Sequence, residues 1–338
     1  MSELVVRPVD PGDDADMDAF QRVYADAELA EDPEIGLYSR EDAVAMLTSG
    51  NESALFDGFG AFLGARMVGE YILMGSMRDN LEIAQLLLWV DPAHRRRGVG
   101  TRMVAAAEEH ARARGRTVLR VQARTGEHLA ANRRFAERHG YTLAMTEIER
   151  RLPLPVDDAL LTRLEAEAAL FHQGYEIRTV LGRVPTELRA SYVDLRNLLV
   201  VEMPHGDLEL EVARETVDDL VALEQEREEA GRIGVSAFAV RDGVVVAYAD
   251  SSLPGDPARH VDQYGTLVHP DHRGHRLGMA VKCAQLRVLG EHFPDRAYVR
   301  TSNAETNAHM VAINVALGFR VHQVWGEFEK RLDPVDPR

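Results

Sequence analysis

The sequence predicts a mixed α/β fold built from two similar domains in tandem. Its 338 residues are enough for two cores of roughly 150 residues each. A repeat is visible, because Val90-Asp91-Pro92-Ala93-His94-Arg95 resembles Val268-His269-Pro270-Asp271-His272-Arg273 at an offset of 178 residues (268 minus 90). Each copy also shows a central order of strand, loop, helix, strand and helix. We therefore predict that each domain has a mixed, mostly antiparallel sheet flanked by helices.

The repeat extends on both sides of this motif at the same offset. Four further pairs keep it: Val68 and Val246, Gln85 and Gln263, Gly100 and Gly278, and Gly140-Tyr141 and Gly318-Phe319. The prediction is an N-terminal domain at 1–152, a linker at 153–172 and a C-terminal domain at 173–332.

The elements of the first copy follow from hydrophobic periodicity and from the residues that end each run. Pro92 ends a buried strand, since proline cannot donate to a sheet, and Gly115 and Gly140 end helices. The prediction in order is a strand at 3–7, helices at 14–27 and 40–48, a hairpin at 61–71, a strand at 83–90, a helix at 98–114, a strand at 117–121 and a helix at 127–139.

The second copy repeats this order, with Asp242-Gly243 as a strong turn signal in its hairpin. Its later elements are predicted as a strand at 261–268, a helix at 277–291, a strand at 297–302 and a helix at 305–317. The segment 158–171 is rich in Ala, Leu and Glu, which indicates a helix.

The composition limits the partners of the protein. Lys and Arg total 39 against 55 Asp and Glu, a net charge of -16. Such a field disfavours nucleic acid and anionic lipid and favours small cations. No apolar run reaches the ~18 residues of a membrane span, the N-terminus lacks the features of a secretory signal, and Cys283 is the single cysteine. We therefore expect a cytoplasmic protein without a nucleic-acid or membrane partner.

A basic, glycine-containing loop lies between a predicted strand end and a predicted helix start. It consists of Arg95, Arg96, Arg97, Gly98, Val99, Gly100 and Thr101. The first N–H groups of a helix have no intrahelical partner and the dipole there is positive, so this loop can hold a phosphate. The other interpretation is a basic helix start with exposed arginines. A nucleotide P-loop fits less well, because its Lys-Ser/Thr ending is absent.

This loop resembles the Gln/Arg-x-x-Gly-x-Gly/Ala signature of the GNAT acetyltransferases. Leu88-Trp89-Val90-Asp91-Pro92 resembles the fourth strand of that family, and Gly140-Tyr141 and Gly318-Phe319 resemble its closing Gly-Phe pair. The resemblance implies acetyl-CoA as co-substrate, with its pyrophosphate on the backbone amides of the loop. It also implies that backbone N–H groups near Leu88–Val90 and Thr266–Val268 bind the thioester carbonyl.

The second copy departs from the signature. Its loop consists of Arg273, Gly274, His275, Arg276, Leu277 and Gly278, with Arg276 where the family has its first glycine. Arg276 could donate to a phosphate or block the approach of one. By resemblance, Asn307 takes the position of an asparagine near the pantetheine arm. Alternatively, it caps a helix.

The catalytic candidates lie mainly on the second copy. By resemblance, the general base belongs at Asp262, which shares a strand face with Tyr264. In the first copy the nearest acid is Glu82. The other interpretation of Asp262 is a solvated residue at a strand start. The tyrosine that usually serves as general acid is replaced by Ala136 and Asn314.

Together these features predict an N-acetyltransferase that uses acetyl-CoA and acetylates a primary amine of a small, cationic molecule, without a metal. Three alternatives stay open: a non-catalytic acyl-CoA-binding or sensing protein, a different acyl donor, and a protein- or aminoacyl-tRNA-dependent transferase. The sequence leaves the acceptor, the acyl length, the catalytic half, the general acid and the oligomeric state undetermined.

Overall fold

The computed structural model describes residues 3–48, 54–126, 129–203, 206, 214–255 and 259–333. Contacts divide the chain into two units. Unit 1 consists of Met1–Thr146, Gly206–Glu211 and Val324–Arg338, and unit 2 of Glu147–His205 and Val212–Gln323. This division differs from the predicted one, because the segment predicted as a linker belongs to unit 2 and the end of the chain belongs to unit 1.

Unit 1 is a six-stranded sheet with helices on both faces. Its elements, numbered along the chain, are β1 (Leu4–Pro8), α1 (Asp14–Leu29), α2 (Arg40–Thr48), β2 (Ala54–Leu63), β3 (Arg66–Ser76), β4 (Ile83–Val90), α3 (Val99–Ala113), β5 (Val118–Arg124), α4 (Ala130–Arg138), the first residues of β6 (Thr142–Pro153) and the later part of β12 (Arg320–Arg331). The strand order is β1-β2-β3-β4-β5-β12. Only β4 and β5 are parallel among these described pairs.

Two apolar layers hold unit 1 together. Val68, Met103 and Leu119 belong to the layer between the sheet and α3. Phe20 and Ile72 belong to the layer under α1 and α2 on the other face. Alternation along each strand therefore buries side chains on both faces, as a sheet covered by helices on both sides requires.

Unit 2 has the same plan. Its elements are the later part of β6, α5 (Asp158–Ala169), β7 (Glu176–Leu181), α6 (Thr186–Glu202), α7 (Val217–Glu229), β8 (Ile233–Arg241), β9 (Val244–Leu253), β10 (His260–Val268), α8 (Leu277–His292), β11 (Tyr298–Ala304) and α9 (Ala308–Leu317). The strand order is β6-β11-β10-β9-β8-β7. The predicted turn between β8 and β9 is confirmed, because Asp242 and Gly243 have φ of 52° and 80°.

The sheet of each unit is completed by a strand from the other half of the repeat. In unit 1, β5 pairs with β12, from Arg124 opposite Trp325 to Val118 opposite Arg331. In unit 2, β11 pairs with β6, from Tyr298 opposite Pro153 to Ala304 opposite Glu147. The last strand of the chain therefore completes the first sheet.

The predicted mixed α/β fold is confirmed. The predicted helices and strands lie within three residues of the observed ones, except that the hairpin predicted at 61–71 extends from Ala54 to Ser76. The repeat offset is less uniform than predicted, since β5 begins at Val118 and β11 at Tyr298, 180 residues apart. None of the helices formed by the described residues combines the length and hydrophobicity needed to cross a bilayer.

Candidate active site

A cleft opens in unit 1 where two parallel strands separate. The pairing of β4 with β5 ends at Leu86 opposite Val121, so the last residues of β4 leave one edge of their backbone open. The cleft has a volume of about 530 Å³. Its lining comes from α1, β4, the loop before α3, α3, β5, α4 and β12. The principal lining residues are Glu28, Glu31, Leu88, Trp89, Val90, Arg95, Arg96, Val104, Arg124, Asn132, Phe135, Ala136, Tyr141 and Trp325.

The basic loop forms one end of this cleft and leads into α3. Gly98 is the residue before the helix and has φ of 85°, a left-handed conformation that glycine adopts without strain. A Cβ built on Gly98 has no atom within 4 Å. Because glycine has no side chain that could cap the helix, the first N–H groups of α3 stay available to an anion.

The three arginines of the loop have different surroundings. Arg95 is held by the protein, since its guanidinium donates to the backbone oxygens of Val90 at 3.2 Å and Ala27 at 3.3 Å and lies 3.4 Å from Glu31. Arg96 and Arg97 are exposed, and within the described part of the chain neither has an acidic partner. Arg96 also lines the cleft. Their positive charges are therefore available to a ligand.

The remaining predicted loop residues support the backbone. Val99 is buried in the α3 layer. A Cβ on Gly100 would lie 3.0 Å from the ring of Phe135, so glycine allows α3 and α4 to approach closely. The hydroxyl of Thr101 lies 3.1 Å from Nε2 of His139.

The opposite wall carries charged and aromatic side chains that sequence reasoning did not identify. The Nε1 of Trp89 donates to Glu28 at 2.6 Å, and Arg124 donates to both Glu28 and Glu31. The guanidinium of Arg124 also lies 4.5 Å from the centre of the Trp325 ring. These residues are far apart in sequence, and no local motif connects them.

Glu82, the predicted acid of the first half, lies outside the cleft. It is exposed at the start of β4. Its backbone oxygen accepts from the N–H groups of Thr117 and Val118, which ties the start of β5 to β4. No described contact brings its carboxylate to the lining residues.

The second loop has the same shape but different partners. Left-handed residues occur at the same two places in both loops, Arg96 and Gly98 in the first and Gly274 and Arg276 in the second. Arg276 has φ of 50°, which is a left-handed conformation that glycine favours. The second loop therefore has a glycine at Gly274, two residues before the position of Arg276 where the signature has its first glycine.

The side chains of the second loop contact acids and backbone of unit 2. Arg273 pairs with Glu202, and Arg276 lies 3.4 Å from Glu167. Nδ1 of His275 lies 2.9 Å from the backbone oxygen of Phe171. An anion at this loop would compete with the carboxylates of the protein itself.

Beyond this loop, Val268 packs against the core of unit 2 and Gly278 faces Ile313. Asn307 caps α9, since its side chain accepts from the N–H of Met310. Lys282, only 1% exposed, donates to Asn314 at 2.6 Å. Its counterpart in the repeat is Val104, which lines the cleft of unit 1.

Asp262 is engaged in an ion pair. Its carboxylate accepts from Nε of Arg300 at 2.5 Å and lies 3.6 Å from His260. Burial alone would raise its pKa, but hydrogen bonding to His260 and the charge of Arg300 lower the pKa of Asp262 to about 2. A carboxylate with this pKa is a weak proton acceptor. Tyr264 is 48% exposed, beside Arg227.

The comparisons with known proteins agree with this fold. The model of the acetyltransferase (GNAT) family matches residues 17–141. A tandem GNAT protein from the clavulanic acid biosynthesis pathway, solved without acetyl-CoA, is 28% identical and superimposes with a TM-score of 0.77 over 99% of this chain and 100% of its own. A search of curated proteins gave no significant match.

Two further structures share the fold at lower identity. A GCN5-related N-acetyltransferase from Sphaerobacter thermophilus is 15% identical, with a TM-score of 0.69 over 98% of this chain and 97% of its own. A glucosamine N-acetyltransferase region of a fungal β-N-acetylglucosaminidase is 14% identical, with a TM-score of 0.67 over 98% of this chain and 38% of its own.

Residues 17–141 therefore match the GNAT acetyltransferase family, and the chain as a whole has the fold of a tandem GNAT protein. The resemblance predicted from the sequence is confirmed. The GNAT fold is one that carries out acetyl transfer.

Proposed function

We propose that unit 1 binds acetyl-CoA in the cleft between β4 and β5 and transfers the acetyl group to a primary amine of a small, cationic molecule. The observation that carries this proposal is the loop of unit 1, where exposed arginines and free N–H groups of α3 meet an open cleft. The loop of unit 2 instead pairs with its own acids.

The residues of the cleft fit the parts of acetyl-CoA. The N–H groups at the start of α3, with Arg96 and Arg97, would hold the pyrophosphate. Apolar side chains of β4 and α4, such as Leu88 and Phe135, would cover the pantetheine arm. The open backbone edge of β4 up to Val90 would donate an N–H to the thioester oxygen, where negative charge develops during acyl transfer.

The net charge of the chain supports a cationic acceptor. The whole chain carries a net charge of -16, whereas Glu28 and Glu31, which face the cleft from α1, share their charges with Arg95 and Arg124. An ammonium group is attracted to the field of the whole chain, and it must lose a proton before it can attack a thioester. Asp262 and Tyr264 of unit 2 and Glu82 of unit 1 stay predicted catalytic residues.

The decisive experiment is calorimetric titration of acetyl-CoA into the wild type and into variants at Gly98. Gly98→Asp places a carboxylate where the pyrophosphate is expected, and the added side chain has open space. Gly98→Asn is the matched control, because asparagine has the same shape, no charge and a tolerance for left-handed conformations. We expect Gly98→Asp to abolish binding and Gly98→Asn to retain most of it.

A corresponding change in unit 2 tests which loop binds. Gly274 also has φ of 85° and open space around an added Cβ, so Gly274→Asp introduces a similar strain and charge there. We expect it to leave acetyl-CoA binding unchanged. Loss of binding in Gly274→Asp alone would place the site in unit 2, and a wild type without any binding would overturn the proposal.

Turnover separates the enzyme from its alternatives. Release of free CoA thiol in the presence of a panel of primary amines would establish transfer. Tight binding without thiol release on any amine would favour a sensing protein, and release from longer acyl-CoA only would favour a different donor.

A further inference from the structure

A fully buried acid lies beside the cleft of unit 1. Glu70 on β3 has 0% exposure, and within the described residues neither of its carboxylate oxygens has a hydrogen-bond partner. Burial of a polar group without a partner costs roughly 2 kcal/mol or more. Burial raises the pKa of Glu70 well above its usual value, opposed by the charge of Arg22. Such a residue weakens the fold, so its presence calls for another reason.

Glu70 is the direct neighbour of a cleft residue. Its Cα partner on β4 is Trp89, whose ring lines the cleft and whose Nε1 donates to Glu28. Both Glu70 and Trp89 belong to the sheet face covered by α1 and α2. The carboxyl group therefore lies one strand away from the cleft wall.

Aromatic rings pack against Trp89, the neighbour of Glu70. Tyr24 meets Trp89 edge-on at 5.3 Å between ring centres, and Tyr38 stacks on Tyr24 at 3.8 Å. The hydroxyl of Tyr38 and Oε1 of Gln21 are also buried without a partner among the described residues. Burial, and to a smaller extent the charge of Glu70, raise the pKa of Tyr38. Several rings and a carboxyl group thus converge on one small region.

Unit 2 shows that the fold does not need this acid. The residues at the same places of the repeat are Tyr248 and Leu267, which are also Cα partners. They are buried together in an apolar cluster. The buried acid on this face of unit 2 is instead Asp250, two residues after Tyr248 on β9 and 3.5 Å from Arg196. The pair of Glu70 with Trp89 is therefore a feature of unit 1 alone.

We propose that Tyr24, Trp89 and Glu70 form a receiving site for the alkylammonium group of the acceptor, which Tyr38 covers in this structure. Aromatic faces attract cations, and a bound cation in turn favours the ionised form of the buried Glu70 carboxyl group. In the present structure Tyr38 fills the space on Tyr24, and an ammonium group takes its place when Tyr38 moves away. This inference rests on the proposed function, because it concerns the acceptor of the same cleft.

The fluorescence of Trp89 provides a direct test. The chain has two tryptophans, so a Trp325→Phe background leaves Trp89 as the single reporter. The probes are pentylammonium at pH 7 and 1-pentanol, which has nearly the same shape without the charge. We expect a saturable change in emission with pentylammonium and none with pentanol. Tyr38→Ala should strengthen the binding of pentylammonium, since the site is then open.

Variants of Glu70 test the role of the carboxylate. Glu70→Gln keeps the shape and should weaken pentylammonium binding about tenfold, whereas the exposed Glu34→Gln should leave it unchanged. Should Glu70→Gln not fold, Glu70→Met, similar in length and apolar, replaces it. Equal affinity in the folded Glu70 variant, or no saturable change in either the wild type or Tyr38→Ala, overturns the inference.

Calorimetry with acetyl-CoA on the same proteins separates the two proposals. A protein that binds acetyl-CoA but not pentylammonium contradicts the ammonium site alone. A protein that binds pentylammonium but not acetyl-CoA contradicts the proposed function alone, and one that binds neither contradicts both.

Discussion

The guanidinium of Arg124 lies 4.5 Å from the centre of the Trp325 ring, so the end of β5 and the last strand of the chain meet at the cleft of unit 1. Arg124 also donates to Glu28 and Glu31 on α1. Trp325 therefore helps to hold the guanidinium of Arg124, which in turn positions Glu28 and Glu31 on the wall of the cleft.

Removal of the Trp325 ring should loosen this wall. Trp325→Ala removes a cation–π contact and apolar surface, and we expect a loss of about 1 kcal/mol of unfolding free energy, together with weaker acetyl-CoA binding. Urea denaturation and calorimetry measure the two effects. Trp325→Phe keeps an aromatic face and should restore most of both; equal effects of the two substitutions would contradict the role of the ring.

The free arginines of the first loop should govern the affinity for CoA. Arg96→Ala and Arg97→Ala each remove an exposed charge, and we expect each to weaken acetyl-CoA binding about fivefold, or ~1 kcal/mol. The effect should shrink as salt is added, because exposed charges are screened. The control is Arg102→Ala, because Arg102 is exposed one turn along α3. If Arg102→Ala lowers the affinity for acetyl-CoA as much as the other two substitutions do, the effect is a general one of charge.

Glu70 should make the stability of the protein depend on pH. Because its pKa is raised in the folded state, its contribution is fully present below the usual value of 4.5 and is lost as pH rises. We therefore expect Glu70→Gln to gain stability relative to the wild type between pH 5 and pH 8, as followed by urea denaturation. The exposed Glu109→Gln should show no such trend, and parallel curves for the wild type and Glu70→Gln would contradict the prediction.

Asp262 should have the opposite dependence. Its pKa of about 2 is below the usual 3.8, so the stability it provides is present above pH 3.8 and is lost as pH falls through 2. A shift of this size corresponds to about 2 kcal/mol. Asp262→Asn should lower the unfolding free energy by that order at pH 7 and much less near pH 2, whereas the exposed Asp271→Asn should change little at either pH.

Activity measurements on the same variant address catalysis. If Asp262 serves mainly as the partner of Arg300, Asp262→Asn should retain acetyl-CoA binding and thiol release within about twofold. A fall of about 100-fold, the scale expected for loss of a general base, would instead support its predicted catalytic role.

The fold of each half was accessible from the sequence because its signals are local. The period of apolar residues, Pro92 after β4 and the glycines that end the helices all act within a few residues. The loop before α3 was also identified in this way, since Gly98 and its neighbouring arginines are consecutive. These features were predicted with bounds close to the observed ones.

The remainder depends on contacts between distant segments. The partner of an antiparallel strand is chosen by packing, and β6 and β12 both end a similar repeat, so their sequences do not indicate which sheet each one completes. For the same reason Glu28, Arg124 and Trp325 were not recognised as neighbours in the cleft. Asp262 has the residue type of a base, and only the structure reveals the Arg300 beside it.

The position of β12 also has a consequence during synthesis. A ribosome produces β5, which ends at Arg124, long before β12, which begins at Arg320. Until then the nascent first sheet exposes an unpaired strand edge, a surface prone to wrong pairing. The wall that includes Trp325 is assembled only after β12 has been synthesised, so translation itself delays the moment at which unit 1 becomes competent to bind.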